Sequence, residues 1–96
     1  NALLLFLIPV DAHDIAEEYR ILLGELERYN PELLHKKRLV AFSKIDLLDD
    51  ELLEELEEKI AQESLFSKIP YLFISAMTQQ NITQLKDKLW EMLNTD

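Results

Sequence analysis

Lys44 and Asp46 stand two residues apart at the end of the run Leu39-Val40-Ala41-Phe42-Ser43-Lys44-Ile45-Asp46. A carboxylate in that position can accept two parallel hydrogen bonds from a planar N–H/NH₂ edge, of the kind guanine presents. A lysine stem can lie over a base while its ammonium stays in water. The apolar residues 39–42 read as a buried strand, and open α/β sheets bind ligands on the loops at strand carboxyl ends. Taken alone, the tetrapeptide reads first as a charged turn that caps the next helix, and the rest of the chain has to decide.

A second short segment bears on that decision. Ser75-Ala76-Met77 directly follows the apolar Tyr71-Leu72-Phe73-Ile74. A serine can brace a neighbouring carboxylate. A small residue lets its backbone N–H approach the carbonyl oxygen that separates guanine from adenine. By itself this is an ordinary passage from strand to turn. It gains meaning only if the fold sets it beside Asp46.

The elements that would do so alternate regularly. Residues 2–8 are continuously apolar and read as a strand buried on both faces, stopped at Pro9. Asp14 with Glu17 has the spacing of a helix N-cap box, and Ile15, Tyr19, Leu22, Leu23 and Leu26 fall on one helical face. Pro31 ends that helix at Asn30, with a short turn over residues 31–34. After the second strand, Asp49 or Asp50 opens an acidic helix. Its Leu52, Leu53, Leu56 and Ile60 point inward, and Glu51, Glu54, Glu55, Glu57 and Glu58 face water. Residues 71–74 form the third strand. Asn81 caps the last helix, with Gln84 completing the box and Ile82, Leu85, Leu89 and Leu93 as its inner stripe.

Strand–helix alternation with strands apolar throughout predicts an α/β fold: three layers, a parallel sheet with helices on both faces. All strand carboxyl ends then share one edge. Ser43-Lys44-Ile45-Asp46 and Ser75-Ala76 become neighbours in space.

Composition sets bounds. The chain has 96 residues, 48% of them hydrophobic, enough for one small unit over 1–96 with a modest core. It has no cysteine, so neither a disulfide framework nor a thiolate metal site, and an intracellular, cytoplasmic protein is expected. The apolar start is too short to span a membrane and lacks the basic flank of a signal peptide. A net charge of −9 argues against this segment itself gripping RNA, DNA or an anionic membrane. Phosphate-cradling loops need several glycines, but the chain has one, and neither GxxxxGK[ST] nor GxGxxG occurs.

The two loops resemble the Asn-Lys-x-Asp and Ser-Ala-x guanine-specificity motifs of GTPases. The preceding helix and turn are more specific. Glu18-Tyr19-Arg20-Ile21-Leu22, followed by Glu25-Leu26-Glu27-Arg28-Tyr29-Asn30-Pro31-Glu32-Leu33, resembles the Tyr-x-x-Ile/Leu … Glu-Leu-x-x-Tyr-Asn-Pro-x-Leu pattern of Obg (CgtA) GTPases. The likeness covers nearly the whole chain, with Tyr29 expected to pack on the sheet edge. It implies the second half of a P-loop GTPase fold. Nucleotide-binding residues would be Ser43, Lys44, Ile45, Asp46, Ser75, Ala76 and Met77, with Ile45 and Met77 packing and Ser43 bracing the loop. GTP or GDP would be the ligand, and the intact protein would hydrolyse GTP and act in assembly of the large ribosomal subunit.

Two departures accompany the resemblance. Ser43 stands where asparagine is usual, and a hydroxyl is shorter and has one donor instead of two, so looser nucleotide binding is expected. The phosphate loop, the switch segments and the Asp-x-x-Gly element would precede Asn1, and with them every ligand of Mg²⁺. The chain therefore reads as a fragment without catalytic residues of its own, its first strand left with an unpaired apolar edge through which it would self-associate. The alternative is a non-catalytic α/β interaction module that uses its acidic helix. His13 and His35 lack metal-ligand spacing, and Lys36-Lys37-Arg38 reads as a solubilising lead into a strand. Trp90 is expected in part of the core.

Overall fold

A computed structural model describes residues 3–94. Three parallel strands lie in the order β1 (Leu3–Pro9), β2 (Lys37–Ser43) and β3 (Tyr71–Phe73). Phe6 pairs with Val40 and Ile8 with Phe42, and Phe42 in turn pairs with Phe73. The connections carry helices α1 (Ile15–Tyr29) and α2 (Asp50–Gln62), and α3 (Ile82–Leu93) follows β3. The predicted parallel α/β arrangement is what forms. Strand β2 runs longer than its apolar run, taking in Lys37, Arg38 and Ser43, and β3 stops one residue short of Ile74. Ala2 lies outside the described residues.

Helix starts follow local chemistry. The Asp14 carboxylate accepts from the Glu17 backbone N–H at 3.2 Å, and the Asp49 carboxylate from that of Leu52 at 2.8 Å. Each such cap contributes about 1 kcal/mol. Asn30 ends α1 in an extended conformation and caps the 3₁₀ turn Pro31–His35, its side-chain oxygen accepting from the Glu32 N–H. The Asn-Pro turn thus closes one element and opens the next.

Alternation along the strands divides the core in two. Phe6, Ile8, Val40 and Phe42 face α1 and α2 and form one buried cluster with Tyr19, Ile60 and Phe66. Ile15, Leu22, Leu23 and Leu26 pack against it, as their spacing predicts. Aromatic rings link across the cluster: Phe6 to Tyr19 at 5.3 Å, Tyr19 to Phe66 at 5.2 Å, Phe66 to Phe42 at 5.4 Å. Contacts at these separations add to the burial of each ring. The Tyr19 hydroxyl accepts a hydrogen bond from Arg38, which also donates to the Leu34 carbonyl. Arg38 is therefore an internal clasp as well as a charge. Its neighbour Lys37 donates to the Met92 carbonyl in the last turn of α3, where a cation is favourable.

The opposite face carries Leu39 and Ala41, both fully buried, with α3 lying against β1 and β2. Coverage is uneven. Leu5 and Leu7 point the same way from the edge strand β1, and Leu7 is 55% exposed. The first strand is thus buried on one face, not two: Leu5 and Leu7 stay exposed although α3 lies against both β1 and β2. Other expectations also give way. Leu52, Tyr29, Trp90 and Leu93 are exposed, while Met92 is part-buried. Tyr29 is the last residue of α1 and is 85% exposed, and Trp90 is 70% exposed.

Candidate functional site

The two loops meet at the carboxyl edge of the sheet. The Ile74 N–H donates to the Phe42 carbonyl at 2.8 Å, and the Ile45 N–H to the Ile74 carbonyl at 3.2 Å. These bonds carry the β2–β3 pairing beyond the strands and fix the loops in register. Ile45 is buried and acts as the plug beneath its loop. Between Ser43 and Ile45 the backbone must turn sharply, and Lys44 does so with φ of 63°, in the left-handed region. The 3₁₀ turn Ile45–Leu47 then carries Asp46 outward, exposed.

Ser75 is fully buried, and its hydroxyl donates to one carboxylate oxygen of Asp46 at 2.7 Å. The same hydroxyl accepts from the Thr78 N–H at 3.1 Å. One oxygen of Asp46 is therefore held from behind, and the exposed carboxylate keeps acceptor capacity for a ligand. An O–H···O⁻ bond of this length is among the stronger types.

The predicted residues take different parts. Asp46, Ser75 and Ile45 are joined in one bonded cluster. Lys44 and Ala76 are exposed beside it. Met77 is 86% exposed, on the loop after β3, and is not packed among the described residues. Ser43 does not brace this loop through its side chain: its hydroxyl has no hydrogen-bond partner among the described residues. Its backbone carbonyl accepts from the Val10 N–H and ties down the loop after β1. Ser75 is the brace.

Gln79, which the sequence did not single out, and Asn81, expected there only as a helix cap, hold the second loop. Gln79 and Asn81 have φ of 62° and 61°. The Gln79 amide donates to the Ala76 carbonyl at 2.6 Å, and that of Asn81 to the Phe73 carbonyl at 2.8 Å. Asn81 begins α3 without capping it by its side chain, because the left-handed backbone turns its amide back to the strand. Asparagine tolerates this conformation well, which was a usable signal; for Gln79 the sequence offers none.

A cavity of about 490 Å³ lies away from this edge, between α1 and α2 beside His13, Lys59 and Phe66. Among the described residues no group of three or more His, Asp or Glu side chains could hold a metal ion. No helix among them is long and apolar enough to cross a membrane.

No family model matches the chain. Individual relatives do. It is 55% identical over 96 residues to GTPase Obg of Flavobacterium psychrophilum, and that match covers all of this chain and 28% of the relative. Over 94 residues it is 55% identical to GTPase Obg of Flavobacterium johnsoniae, covering 98% of this chain and 28% of that protein. The counterpart in Parabacteroides distasonis is 49% identical over 96 residues, with 24% of its length covered. The chain thus spans about a quarter of the length of the curated relatives it matches.

Proposed function

From the premise that this chain belongs to the Obg family, we propose that it supplies the guanine-reading edge of a GTP-binding protein. The observation that carries the reading is the 2.7 Å bond from buried Ser75 to Asp46. It joins two segments 29 residues apart that resemble the two base-recognition motifs.

Asp46 would accept from the N1–H and N2–H₂ of guanine, and adenine offers neither at those positions. The Lys44 stem would cover the face of the base. The Ala76 N–H would donate to O6. Ser43, Ile45 and Met77 belong to the same two loops: Ile45 supports the first from below, and Ser43 and Met77 contribute backbone. Parts of the protein outside this chain would hold the phosphates and Mg²⁺ and carry out GTP hydrolysis. By the same reading the whole protein is cytoplasmic and acts in assembly of the large ribosomal subunit.

The test is a nucleotide titration of the full-length protein with Asp46→Asn. An amide accepts at one atom and donates at the other, so one guanine contact becomes a donor–donor clash. GDP affinity should fall by about a hundredfold, the scale of one or two hydrogen bonds to a charged group. Xanthosine diphosphate, whose C2 oxygen can accept from the new amide, should gain. Unchanged GDP affinity would remove the site assignment and return the chain to the reading of an interaction module working through the acidic face of α2.

A further inference from the structure

The three residues with positive φ in this protein, among those described, are Lys44, Gln79 and Asn81. None is glycine, and all three lie on the two loops of the candidate site. A left-handed backbone strains a residue with a side chain, asparagine least. Such strain persists only where neighbouring contacts hold it. The sole glycine, Gly24, is inside α1, away from any turn.

The contacts around residues 73–82 explain what the strain maintains. The Ser75 N–H donates to the Gln80 carbonyl at 3.1 Å, which fixes the peptide before Ser75. The Gln79 side chain donates to the Ala76 carbonyl at 2.6 Å, which fixes the peptide after Ala76. Between these two lies the peptide that carries the Ala76 N–H. That N–H makes no hydrogen bond to any described residue, and Ala76 is exposed. The Asn81 amide, donating to the Phe73 carbonyl at 2.8 Å, ties the far end of the loop to the end of β3. Both amides reach their carbonyls from residues whose own backbones are left-handed.

We propose that Gln79 and Asn81 are positioning residues, a glycine-free latch that presents the Ala76 N–H to the six-position oxygen of a 6-oxopurine. The inference rests on the guanine reading above and assigns a cause to one half of its specificity. Asp46 reads one edge of the base through a carboxylate braced by Ser75. Ala76 reads the other through a backbone donor, and a backbone donor can discriminate only if its peptide cannot rotate. Without Gln79 the Ala76–Met77 peptide is free to turn, and the direction of the neighbouring N–H loosens with it.

Glycine separates the two roles of these residues. It adopts positive φ without strain, so Gln79→Gly and Asn81→Gly remove the amides while favouring the backbone turn. Binding of GDP, its 6-thio analogue and inosine diphosphate by the full-length protein then reads each contact. Sulfur at position six accepts a hydrogen bond poorly, and inosine lacks only the two-amino group. In the double variant the preference for GDP over 6-thio-GDP should fall by about tenfold, the scale of one hydrogen bond. The ratio of GDP to inosine diphosphate, which reports Asp46, should hold. Asn81→Asp, equal in shape but unable to donate, should move the same preference in the same direction without added backbone freedom. A GDP to 6-thio-GDP ratio unchanged in both the double glycine variant and Asn81→Asp overturns the latch. Asp46→Asn in the same assay separates the failures: if it leaves GDP binding intact, the guanine reading itself falls; if it weakens GDP while the latch variants keep the wild-type ratio, only the latch does.

Discussion

Phe42 and Ser75 are both sealed from water, yet they keep different things in place. Phe42 ends the interior of β2 and touches the rings of Phe66, Tyr71 and Phe73, with centroids 5.3 to 5.7 Å apart. Ser75 lies just past β3, and its hydroxyl makes two hydrogen bonds, one to Asp46 and one from Thr78. The first is held by area removed from water, which is non-directional. The second works by direction: it aims a carboxylate. On the proposed reading, stability and recognition are therefore concentrated in adjoining but separable regions, the sheet interior and its carboxyl edge. The three left-handed residues all belong to the edge.

The largest effect that tests this separation is Phe42→Ala. Removing a fully buried ring from an aromatic cluster costs about 3–5 kcal/mol, a large share of what a small domain possesses. A urea or thermal melt should show most of the cooperative transition lost. A variant with an unchanged midpoint but weakened GDP binding would break the comparison, since the interior would then be acting as part of the site.

Ser75→Ala comes next and should behave in the opposite way. It leaves one oxygen of Asp46 without its donor and the Thr78 N–H without its acceptor. Thr78 is exposed, so water can replace the serine there, and the loss of stability should stay near 1 kcal/mol. The Asp46 carboxylate, no longer aimed, should bind GDP about tenfold more weakly in the full-length protein. Isothermal titration and a melt on the same sample give both numbers. Lost stability with intact affinity would place Ser75 with Phe42, as a packing residue.

Much of this arrangement was legible in the chain, for physical reasons that differ by residue. The apolar runs around Phe6, Val40 and Leu72 marked the strands because parallel strands covered by helices admit little polarity. Asp14 and Asp49 marked helix starts because a carboxylate there has orphan N–H groups to accept from. Asp46 and Ser75 could be paired from the order of strands and helices alone, since parallel topology puts both loops on one edge. What stayed hidden depended on neighbours that periodicity cannot report. Leu52 lies one helical turn before Leu56, yet Leu56 packs on the core cluster and Leu52 is left exposed in the first turn of α2. Leu7 looks like any buried strand residue until the place of α3 is known. The turns at Gln79 and Lys44 escaped because left-handed backbone is ordinarily announced by glycine, and here side-chain hydrogen bonds or a tight 3₁₀ turn hold it instead.

The smallest effect concerns a third region, where burial is incomplete. Leu5 and Leu7 project from the edge strand β1 on the face opposite Tyr19, and Leu5 also borders a groove with Leu22, Leu26 and Tyr29. An apolar edge strand is a template for pairing with another chain. The 96-residue chain on its own should therefore self-associate reversibly at high concentration, despite its charge of −9. Leu7→Lys puts on that edge the residue type that natural sheets use to prevent pairing, and it gives up little burial because the side chain is more than half exposed. Association should weaken by about one order of magnitude, with the melting midpoint nearly unmoved. Sedimentation velocity over a dilution series measures it. A wild-type chain that stays monomeric throughout would mean that the partial cover from α3 already protects this edge, and incomplete burial of Leu7 would then carry no consequence for association.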